Sequence, residues 1–294
     1  MGKSKSNLKK ELIDADILIT INWSAKSPPA PKLKLIQIPA AGYDNINLSA
    51  IPKNCNLCNV YEHEAPIAEY CLLAMLESEI KLSKSNLKFK SGDWSDSFSS
   101  HKFRGELLGR HLGVIGFGRI GKEIIKRSTA FKMKTTAIVR NPKKYYKKNS
   151  LKTKFSSIYN LKKIIKNFDY LIIACPLTDE TRELITLEKL KNMKKSAAII
   201  NISRASIIKE EDLYVALKKN IIREAFIDVW YNYPRSNNTK NLLPSKFPIL
   251  KLDNITVSPH TSAWTKQMLN RRFKIIGKNI LNLSEGKKLI NQLI

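Results

Sequence analysis

His111-Leu-Gly-Val-Ile-Gly-Phe-Gly-Arg-Ile-Gly121 is a short apolar run that ends in three spaced glycines. Helix-forming residues follow from Lys122 to Ser128, so the expected order is strand, turn, helix. In such a turn Gly116 allows a tight bend, Gly118 lets a pyrophosphate approach the backbone, and Gly121 lets the helix pack on the strand. The free N–H groups and the dipole at the helix start would bind phosphate charge. In this strand-to-helix context the run predicts a dinucleotide site, whereas three glycines alone are a weak signal.

Strands and helices alternate over nearly the whole chain of 294 residues. Near-continuous apolar strands separated by helices indicate an α/β protein with parallel sheet covered on both faces. A smaller set of elements precedes the polar segment 92–104, and a denser set begins at Leu112. The predicted strands are 16–20, 34–38, 58–61, 114–115, 135–139, 170–174, 197–202, 225–228 and 255–257. The predicted helices are 6–14, 44–51, 67–87, 120–130, 158–166, 187–193, 209–219 and 263–285.

The N-terminal sequence and the cysteines indicate a cytoplasmic protein. No apolar region of signal-peptide type follows the first charges, and no apolar run approaches the ~20 residues of a membrane span. Cys55 and Cys58 have the spacing of half a zinc site, but no second pair lies nearby. We therefore expect no metal site, and we expect all four cysteines to be structural thiols in a reducing compartment.

The net charge of +27 raises the possibility of a nucleic-acid-binding protein. The basic residues, however, are mostly Lys and are spread along the whole chain, without the clustered Arg forks of specific DNA readers. We favour a compositional bias with solvated Lys on every surface. Nucleic acid is then expected to bind only non-specifically, at low salt.

Seven short motifs occur in a defined order along the chain. They are Ala41-Gly42-Tyr43-Asp44-Asn45-Ile46, Ala68-Glu69-Tyr70, the glycine turn, Cys175-Pro176-Leu177-Thr178-Asp179-Glu180-Thr181, Asn201-Ile202-Ser203-Arg204-Ala205, Asp228-Val229-Trp230 and Ser258-Pro259-His260. In this order they resemble the D-isomer-specific 2-hydroxyacid dehydrogenases, over roughly residues 15–285.

The resemblance implies two Rossmann-like domains. A doubly wound, parallel-sheet dinucleotide-binding domain (79–266) would be inserted into a smaller, split, flavodoxin-like substrate domain (1–78 and 267–294). Family members usually begin with one more strand and helix, so this substrate domain is expected to lack its first strand. The implied reaction moves a hydride between a nicotinamide and C2 of a small 2-keto or 2-hydroxy acid, with substrate entering between the domains.

The resemblance also implies the roles of individual residues. Arg204 would bind the substrate carboxylate and carbonyl, with backbone N–H groups of Ala41 and Gly42 assisting, and His260 would protonate the carbonyl oxygen. Taken alone, Arg204 could equally be an ordinary surface residue and His260 a structural one; the family context favours function. The full set implied to hold the dinucleotide is Gly116, Gly118, Arg119, Ile120, Gly121, Arg140, Cys175, Pro176, Ser203, Arg204, Asp228, His260 and Ser262.

At one catalytic position the chain departs from the family pattern. The family pairs its His with a Glu that precedes a Pro, and here Tyr233 precedes Pro234. A phenol can orient an imidazole but cannot stabilise an imidazolium as a carboxylate does, so we expect turnover to fall off at lower pH than usual. Ala205, in place of the usual Gly, and Trp264, which would narrow the pocket, are further departures.

A second departure concerns the choice of cofactor. The acid that would bond the ribose 2′-OH of NAD is absent after the strand 135–139, where Arg140 is followed by Lys143 and Lys144. These bases suit a 2′-phosphate, so NADP(H) is the preferred cofactor, with NAD(H) possible. Surface basicity in a Lys-rich chain is the alternative explanation.

The sequence thus predicts a glyoxylate- or hydroxypyruvate-reducing enzyme that forms a homodimer, with Trp94 and Phe98 as anchors against the partner. Two alternatives from other classes stay open. One is a dinucleotide-sensing, corepressor-like binding protein with weak or no catalysis, which loss of the Glu would favour. The other is formate oxidation, which needs no proton donor, although those chains are longer and carry Gln where Tyr233 stands.

Overall fold

A computed structural model describes residues 5–148, 151–234 and 242–294. Its helices and strands, in chain order, are α1 (Lys5–Leu12), β1 (Ile17–Ile19), β2 (Leu35–Gln37), β3 (Asn56–Cys58), α2 (Glu64–Ile80), α3 (Leu82–Lys90), β4 (His111–Ile115), α4 (Arg119–Ala130), β5 (Lys134–Val139), β6 (Lys154–Ser157), α5 (Leu161–Ile164), β7 (Tyr170–Ile173), α6 (Leu187–Lys191), β8 (Ala198–Asn201), α7 (Glu210–Lys218), β9 (Glu224–Ile227), β10 (Ile255–Val257) and α8 (Lys266–Ser284).

The chain divides into two compact units. The first is formed by Met1–His63 with Thr265–Ile294, and the second by Glu64–Trp264. The sequence predicts a domain boundary after residue 78, which lies within α2, whereas α2 belongs entirely to the second unit. The reason is its apolar face: Ala68, Cys71 and Met75 are buried in one cluster with residues of β4 and α4.

The first unit contains a three-stranded parallel sheet in the order β1-β2-β3. Its helix α8 is fixed to β2 by a buried amide pair, in which Asn279 Nδ2 donates to Gln37 Oε1 at 2.8 Å. Cys55 and Cys58 are both buried but pack in different clusters, one around Trp23 and the other around Leu289. The two thiols therefore face different parts of the core, as alternation along a strand predicts.

The second unit is built on a seven-stranded sheet in the order β10-β9-β8-β7-β4-β5-β6, and every neighbouring pair is parallel. Because all strands run the same way, the loops that follow them emerge at one edge. The strand order reverses between β4 and β7, and ligands of open parallel sheets bind at such a reversal. The sheet thus brings the loops after β4, β5, β7, β8, β9 and β10 to one side.

Alternating residues of the central strands enter two separate cores. Ile115, Leu171 and Ile199 belong to one cluster, which also contains buried residues of α6 and α7. Val114 and Ile172 belong to the other, with buried residues of α2 and α4. This pattern of a sheet buried on both faces confirms the predicted α/β class with parallel sheet.

Several predicted elements differ from the observed ones. The helix predicted for 67–87 is interrupted at Lys81, whose φ of +55° is left-handed, so α2 and α3 are separate helices. Strand β6 was not predicted, because its residues are only partly buried and include two serines. The helix predicted for 44–51 is reduced to one 3₁₀ turn, Leu48–Ala50. No helix within the described ranges is long and apolar enough to cross a membrane.

Candidate active site

The glycine turn between β4 and α4 has the shape that a pyrophosphate requires. Gly116 has a φ of +102°, and a Cβ there would lie 2.6 Å from the carbonyl oxygen of Ala174. At Gly118 a Cβ would meet nothing within 4 Å, so the backbone faces open space. Helix α4 begins directly afterwards, and its N-cap residue, Gly118, has no side chain that could cap the first N–H groups. The residues present therefore fit the phosphates of a dinucleotide.

Gly121 in the first turn of α4 serves packing. A Cβ there would lie 2.2 Å from the carbonyl oxygen of Gly116, which is closer than atoms can approach. The absence of a side chain thus brings helix and strand together, as the sequence predicts. Arg119 and Ile120, the other two predicted residues of this segment, occupy the first two positions of α4.

Arg140, the first residue after β5, does not stand alone. Its Nε lies 2.7 Å from Glu180 Oε2, in an ion pair that spacing along the chain does not reveal. Tyr159 donates a hydrogen bond to the other oxygen of the same carboxylate, Oε1, at 3.3 Å. An acidic group, Glu180, is therefore present at this end of β5. It belongs to the loop after β7, whereas the loop after β5 contains no acid.

The loops after β7 and β8 are fixed to each other. The Ser203 hydroxyl donates to the carbonyl oxygen of Cys175, whose thiol is buried, and burial raises the pKa of that thiol to about 11. Cys175 is therefore a neutral, structural thiol at physiological pH. Pro176, next to it, lies on the surface, and its carbonyl accepts a hydrogen bond from Thr181.

Asn201 at the end of β8 sets the conformation of the segment that carries Arg204. Its Oδ1 accepts from the Ser203 N–H at 3.1 Å, and its Nδ2 donates to the Arg204 carbonyl at 3.0 Å. Arg204 itself is half-buried and has an extended backbone. Ala205, at the position of the usual Gly, is buried in the following 3₁₀ turn.

Asp228 after β9 is fully buried and organises the loop that carries His260. Its Oδ1 accepts from the Ser258 hydroxyl at 2.5 Å and from the Thr261 N–H at 2.8 Å, and its Oδ2 accepts from the Ser262 N–H at 3.0 Å. Between these donors His260 adopts a φ of +61°, which is uncommon for a residue other than Gly. The three bonds are what stabilise this conformation.

His260 is held at one ring nitrogen. Tyr233 Oη lies 2.8 Å from His260 Nδ1, and the Trp230 N–H donates to the same Oη at 3.1 Å. The phenol oxygen accepts from Trp230, and we assign its own proton to Nδ1, the arrangement in which phenol and imidazole are both neutral. The neutral imidazole then carries its proton on Nε2, the nitrogen that Tyr233 leaves for another partner.

The surroundings lower the pKa of His260 below its ordinary value. Desolvation by the surrounding protein is the main cause; Asp228 opposes it, and the positive charge of Arg204 adds to it. The pKa of Tyr233 is raised, chiefly by desolvation, so it remains a neutral phenol. The pair is therefore uncharged at neutral pH.

Ala41, Gly42 and Trp264 are the remaining predicted residues. Ala41 and Gly42 lie in the first unit, where Asn59 Nδ2 donates to the Ala41 carbonyl at 2.9 Å and so fixes their loop. Trp264, at the end of the second unit, has a largely exposed side chain. Within the described parts of the chain there is no group of three or more metal-ligating side chains.

Some residues that shape the site were not identified as functional from the sequence. Trp230 bridges two parts of it, because its indole N–H donates to the Ser258 carbonyl at 2.9 Å while its backbone N–H bonds to Tyr233. Ser258 in turn links Asp228 to Tyr70 Oη, which lies 2.9 Å from its hydroxyl. For Trp230 and Ser258 the available signal was a position just after a strand, whereas Tyr70 lies within α2; their partners are set by the tertiary structure.

Comparison with known proteins identifies the family. Residues 72–262, more than half of the chain, match the family described as "D-isomer specific 2-hydroxyacid dehydrogenase, NAD binding domain". The chain is 31% identical over 294 residues to D-3-phosphoglycerate dehydrogenase of Methanocaldococcus jannaschii, covering 97% of this chain but only 53% of that protein. It is 30% identical to hydroxypyruvate reductase of Thermotoga maritima, with 91% of this chain and 84% of that protein covered.

A solved structure shows the same fold. The 2-hydroxyacid dehydrogenase of Ketogulonicigenium vulgare Y25 superposes with a TM-score of 0.84 at 22% identity, covering 100% of this chain and 89% of that one. Together with the matching domain, this similarity confirms the resemblance found in the motifs. The chain belongs to the D-isomer-specific 2-hydroxyacid dehydrogenases, oxidoreductases that transfer a hydride between a nicotinamide dinucleotide and C2 of a 2-hydroxy or 2-keto acid.

Proposed function

We propose that this chain reduces a small 2-keto acid, such as glyoxylate or hydroxypyruvate, to the D-2-hydroxy acid. The observation that carries the proposal is the grouping at one sheet edge: the loops that bear Arg204 and His260 emerge on the same side as the glycine turn. A 2-keto acid needs a cation for its carboxylate and a proton donor for its carbonyl oxygen. Arg204 and His260 are those two groups.

Each of the site residues has a separate role in the proposed reduction. A bound nicotinamide supplies the hydride to C2. Arg204 binds the substrate carboxylate and favours negative charge on the carbonyl oxygen. His260, held at Nδ1 by Tyr233, presents Nε2 to that oxygen and delivers the proton from its protonated form. Asp228 maintains the His260 loop and is the residue we assign to the nicotinamide carboxamide.

The test follows nicotinamide absorbance with purified protein and glyoxylate or hydroxypyruvate. We expect His260→Ala to lower kcat/KM about 100-fold or more, as for loss of a general acid. Arg204→Ala should raise KM and lower kcat, because the carboxylate loses a charge-assisted contact. Arg127→Ala, which removes an Arg paired with Glu123 on α4, is the control and should leave turnover unchanged. Tight cofactor binding without turnover on any 2-keto acid would contradict the proposal and favour a sensor.

We also propose a preference for NADP(H) over NAD(H). Support comes from the bases that follow β5, Arg140, Lys143 and Lys144, which suit a 2′-phosphate. The test is the dissociation constant of each reduced cofactor, measured by fluorescence titration at one ionic strength. NADPH should bind more tightly, and equal affinities would contradict the preference.

The partner that we propose is a second copy of the chain. Segment 82–103 presents large apolar side chains to solvent, among them Leu87, Trp94, Phe98 and Phe103; Phe98 is 98% exposed and Phe103 is 95% exposed. Light scattering after gel filtration should give a dimer, and the double variant Trp94→Ser/Phe98→Ser should give a monomer. Leu281→Ser, which removes an exposed apolar group from α8, is the matched control. A wild-type monomer would contradict the proposal.

The alternative of a dinucleotide-sensing binding protein is not favoured, because both relatives described above are named as enzymes. The compartment that we propose is the cytoplasm. Its support is the state of the cysteines: Cys55, Cys58, Cys71 and Cys175 are all buried and none forms a disulfide.

A further inference from the structure

We propose that Glu180 determines how strongly this chain discriminates between NADPH and NADH. It does so by holding Arg140 in an ion pair with which a 2′-phosphate must compete. The inference rests on the proposed dinucleotide site and assigns a role in it to the motif Thr178-Asp179-Glu180-Thr181, which the catalytic roles do not use. The first observation is the distance of 2.7 Å between Arg140 Nε and Glu180 Oε2.

The loop after β7 is built to present Glu180 in a fixed position. Thr181 is buried; its hydroxyl donates to the Pro176 carbonyl at 2.8 Å and accepts from the Thr178 N–H at 2.7 Å. The Thr181 N–H donates to the Thr178 carbonyl at 3.1 Å and closes the turn. Glu180 therefore stands on a braced turn, and its carboxylate is aimed across the sheet edge toward β5.

The carboxylate is contacted from two neighbouring strands. Arg140 directly follows β5, and Tyr159 lies in the 3₁₀ turn after β6, which pairs with β5. Each contacts a different oxygen: Arg140 bonds to Oε2, and Tyr159 donates to Oε1 at 3.3 Å. The Arg140 side chain is largely exposed and that of Glu180 is about half exposed, so a ligand can reach both.

The chemistry of the two cofactors differs only at the 2′ position. A 2′-phosphate carries about −1.5 to −2 charges, which Arg140 attracts and Glu180 repels. A 2′-OH can donate to the Glu180 carboxylate without disturbing the ion pair. Glu180 therefore favours NADH and Arg140 favours NADPH. The cofactor preference therefore depends on the attraction of Arg140 for the 2′-phosphate relative to the repulsion by Glu180, and Arg140 alone does not determine it.

The experiment compares the dissociation constants of NADPH and NADH by fluorescence titration for the wild type and Glu180→Gln. The amide keeps the size of the side chain but removes the charge. We expect NADPH to bind about three- to tenfold more tightly to the variant, while NADH binds equally or slightly less well. Asp179→Asn is the matched control: it removes the same charge one residue away, so both cofactors should shift together and by less than the NADPH gain.

A double-mutant cycle with Arg140→Ala makes the test specific for the pair. Without Arg140 the ion pair is absent, so Glu180→Gln should improve NADPH binding less than it does in the wild type. If Glu180→Gln left the ratio of the NADPH and NADH dissociation constants unchanged, the role of Glu180 would be overturned, and the proposed reductase function would stand. Binding of neither cofactor to the wild type would instead overturn the proposed function. Because Glu180 is exposed, thermal melting should be unchanged and checks that the variants fold.

Discussion

Tyr233 stands where the resemblance to the family implies a Glu, and this departure bears directly on the proposed chemistry of His260. It occupies the place of a carboxylate, and its hydroxyl is fixed between the Trp230 N–H and His260 Nδ1. A phenol that donates to Nδ1 stabilises the neutral imidazole, whereas a carboxylate stabilises the imidazolium. Desolvation, aided by the charge of Arg204 and opposed by Asp228, lowers the pKa of His260 below its ordinary value.

The pH dependence of reduction follows from that lowered pKa. Reduction consumes a proton that the protonated imidazole supplies, so kcat/KM should be highest at acid pH and fall as the pH rises through the lowered pKa of His260, below pH ~6.5. Tyr233→Glu should move this fall to higher pH by about one unit. The measurement is the pH profile of kcat/KM with hydroxypyruvate.

Tyr233→Phe is the control for the same profile. It removes the hydrogen bond to Nδ1 without adding charge, so kcat should fall and any alkaline shift of the profile should be clearly smaller than that of Tyr233→Glu. If Tyr233→Glu left the position of the fall unchanged, the assignment of Tyr233 to His260 would be contradicted.

Individual site residues differ in how far the sequence could predict them. Arg204, His260 and the substitution at Tyr233 could be placed because each follows a strand in the family's order. The partners of Asp228 and Glu180 could not, since each bonds to a segment distant in the chain. Such pairs depend on which strands are neighbours, and periodicity does not contain that information.

At the scale of elements, glycines in the β4–turn–α4 unit have two different roles, close packing at Gly121 and open backbone at Gly118. A methyl group at Gly121 would collide with the backbone of Gly116, whereas one at Gly118 would enter open space. Gly121→Ala should therefore destabilise the fold by about 1–3 kcal/mol. Gly118→Ala should leave stability within about 0.5 kcal/mol and weaken dinucleotide binding.

Two measurements check this pair of variants. Urea unfolding gives the change in stability, and fluorescence titration gives the affinity for the dinucleotide. Each variant serves as the control for the other, because both add one methyl group within the same turn. Equal loss of stability in the two would show that the open space at Gly118 does not exist in solution.

The strands of the second unit were largely predictable, and the interruptions of its helices were not. Runs such as Tyr170–Ile173 are apolar throughout, and burial on both faces requires that pattern. Lys, by contrast, is not a residue type that favours a left-handed conformation, yet Lys81 adopts one and follows the last residue of α2. The residue type at position 81 therefore gives no sign of where α2 ends.

At the scale of the whole molecule, the net charge of +27 has a consequence separate from catalysis. The positive field should attract any polyanion, with an affinity set by counterion release. We expect a labelled DNA duplex to bind at 50 mM salt and its affinity to fall roughly 10³-fold by 200 mM. Fluorescence anisotropy over a salt series measures it, and an unrelated duplex of equal length is the control. Sequence-selective binding that persists at physiological ionic strength would contradict a purely non-specific interaction.

The three hydrogen bonds that Asp228 accepts also determine how His260 can move. Two of them attach the backbone on the C-terminal side of His260, at Thr261 and Ser262, to this buried residue, and the third comes from the Ser258 hydroxyl on the N-terminal side. Rotation about the side-chain bonds of the imidazole takes picoseconds to nanoseconds, whereas release of its backbone requires breaking bonds to a buried carboxylate. The backbone of His260 therefore stays in place while its hydrogen bond to Tyr233 opens and closes. During a catalytic cycle the ring can reach only those positions that its two side-chain torsion angles allow.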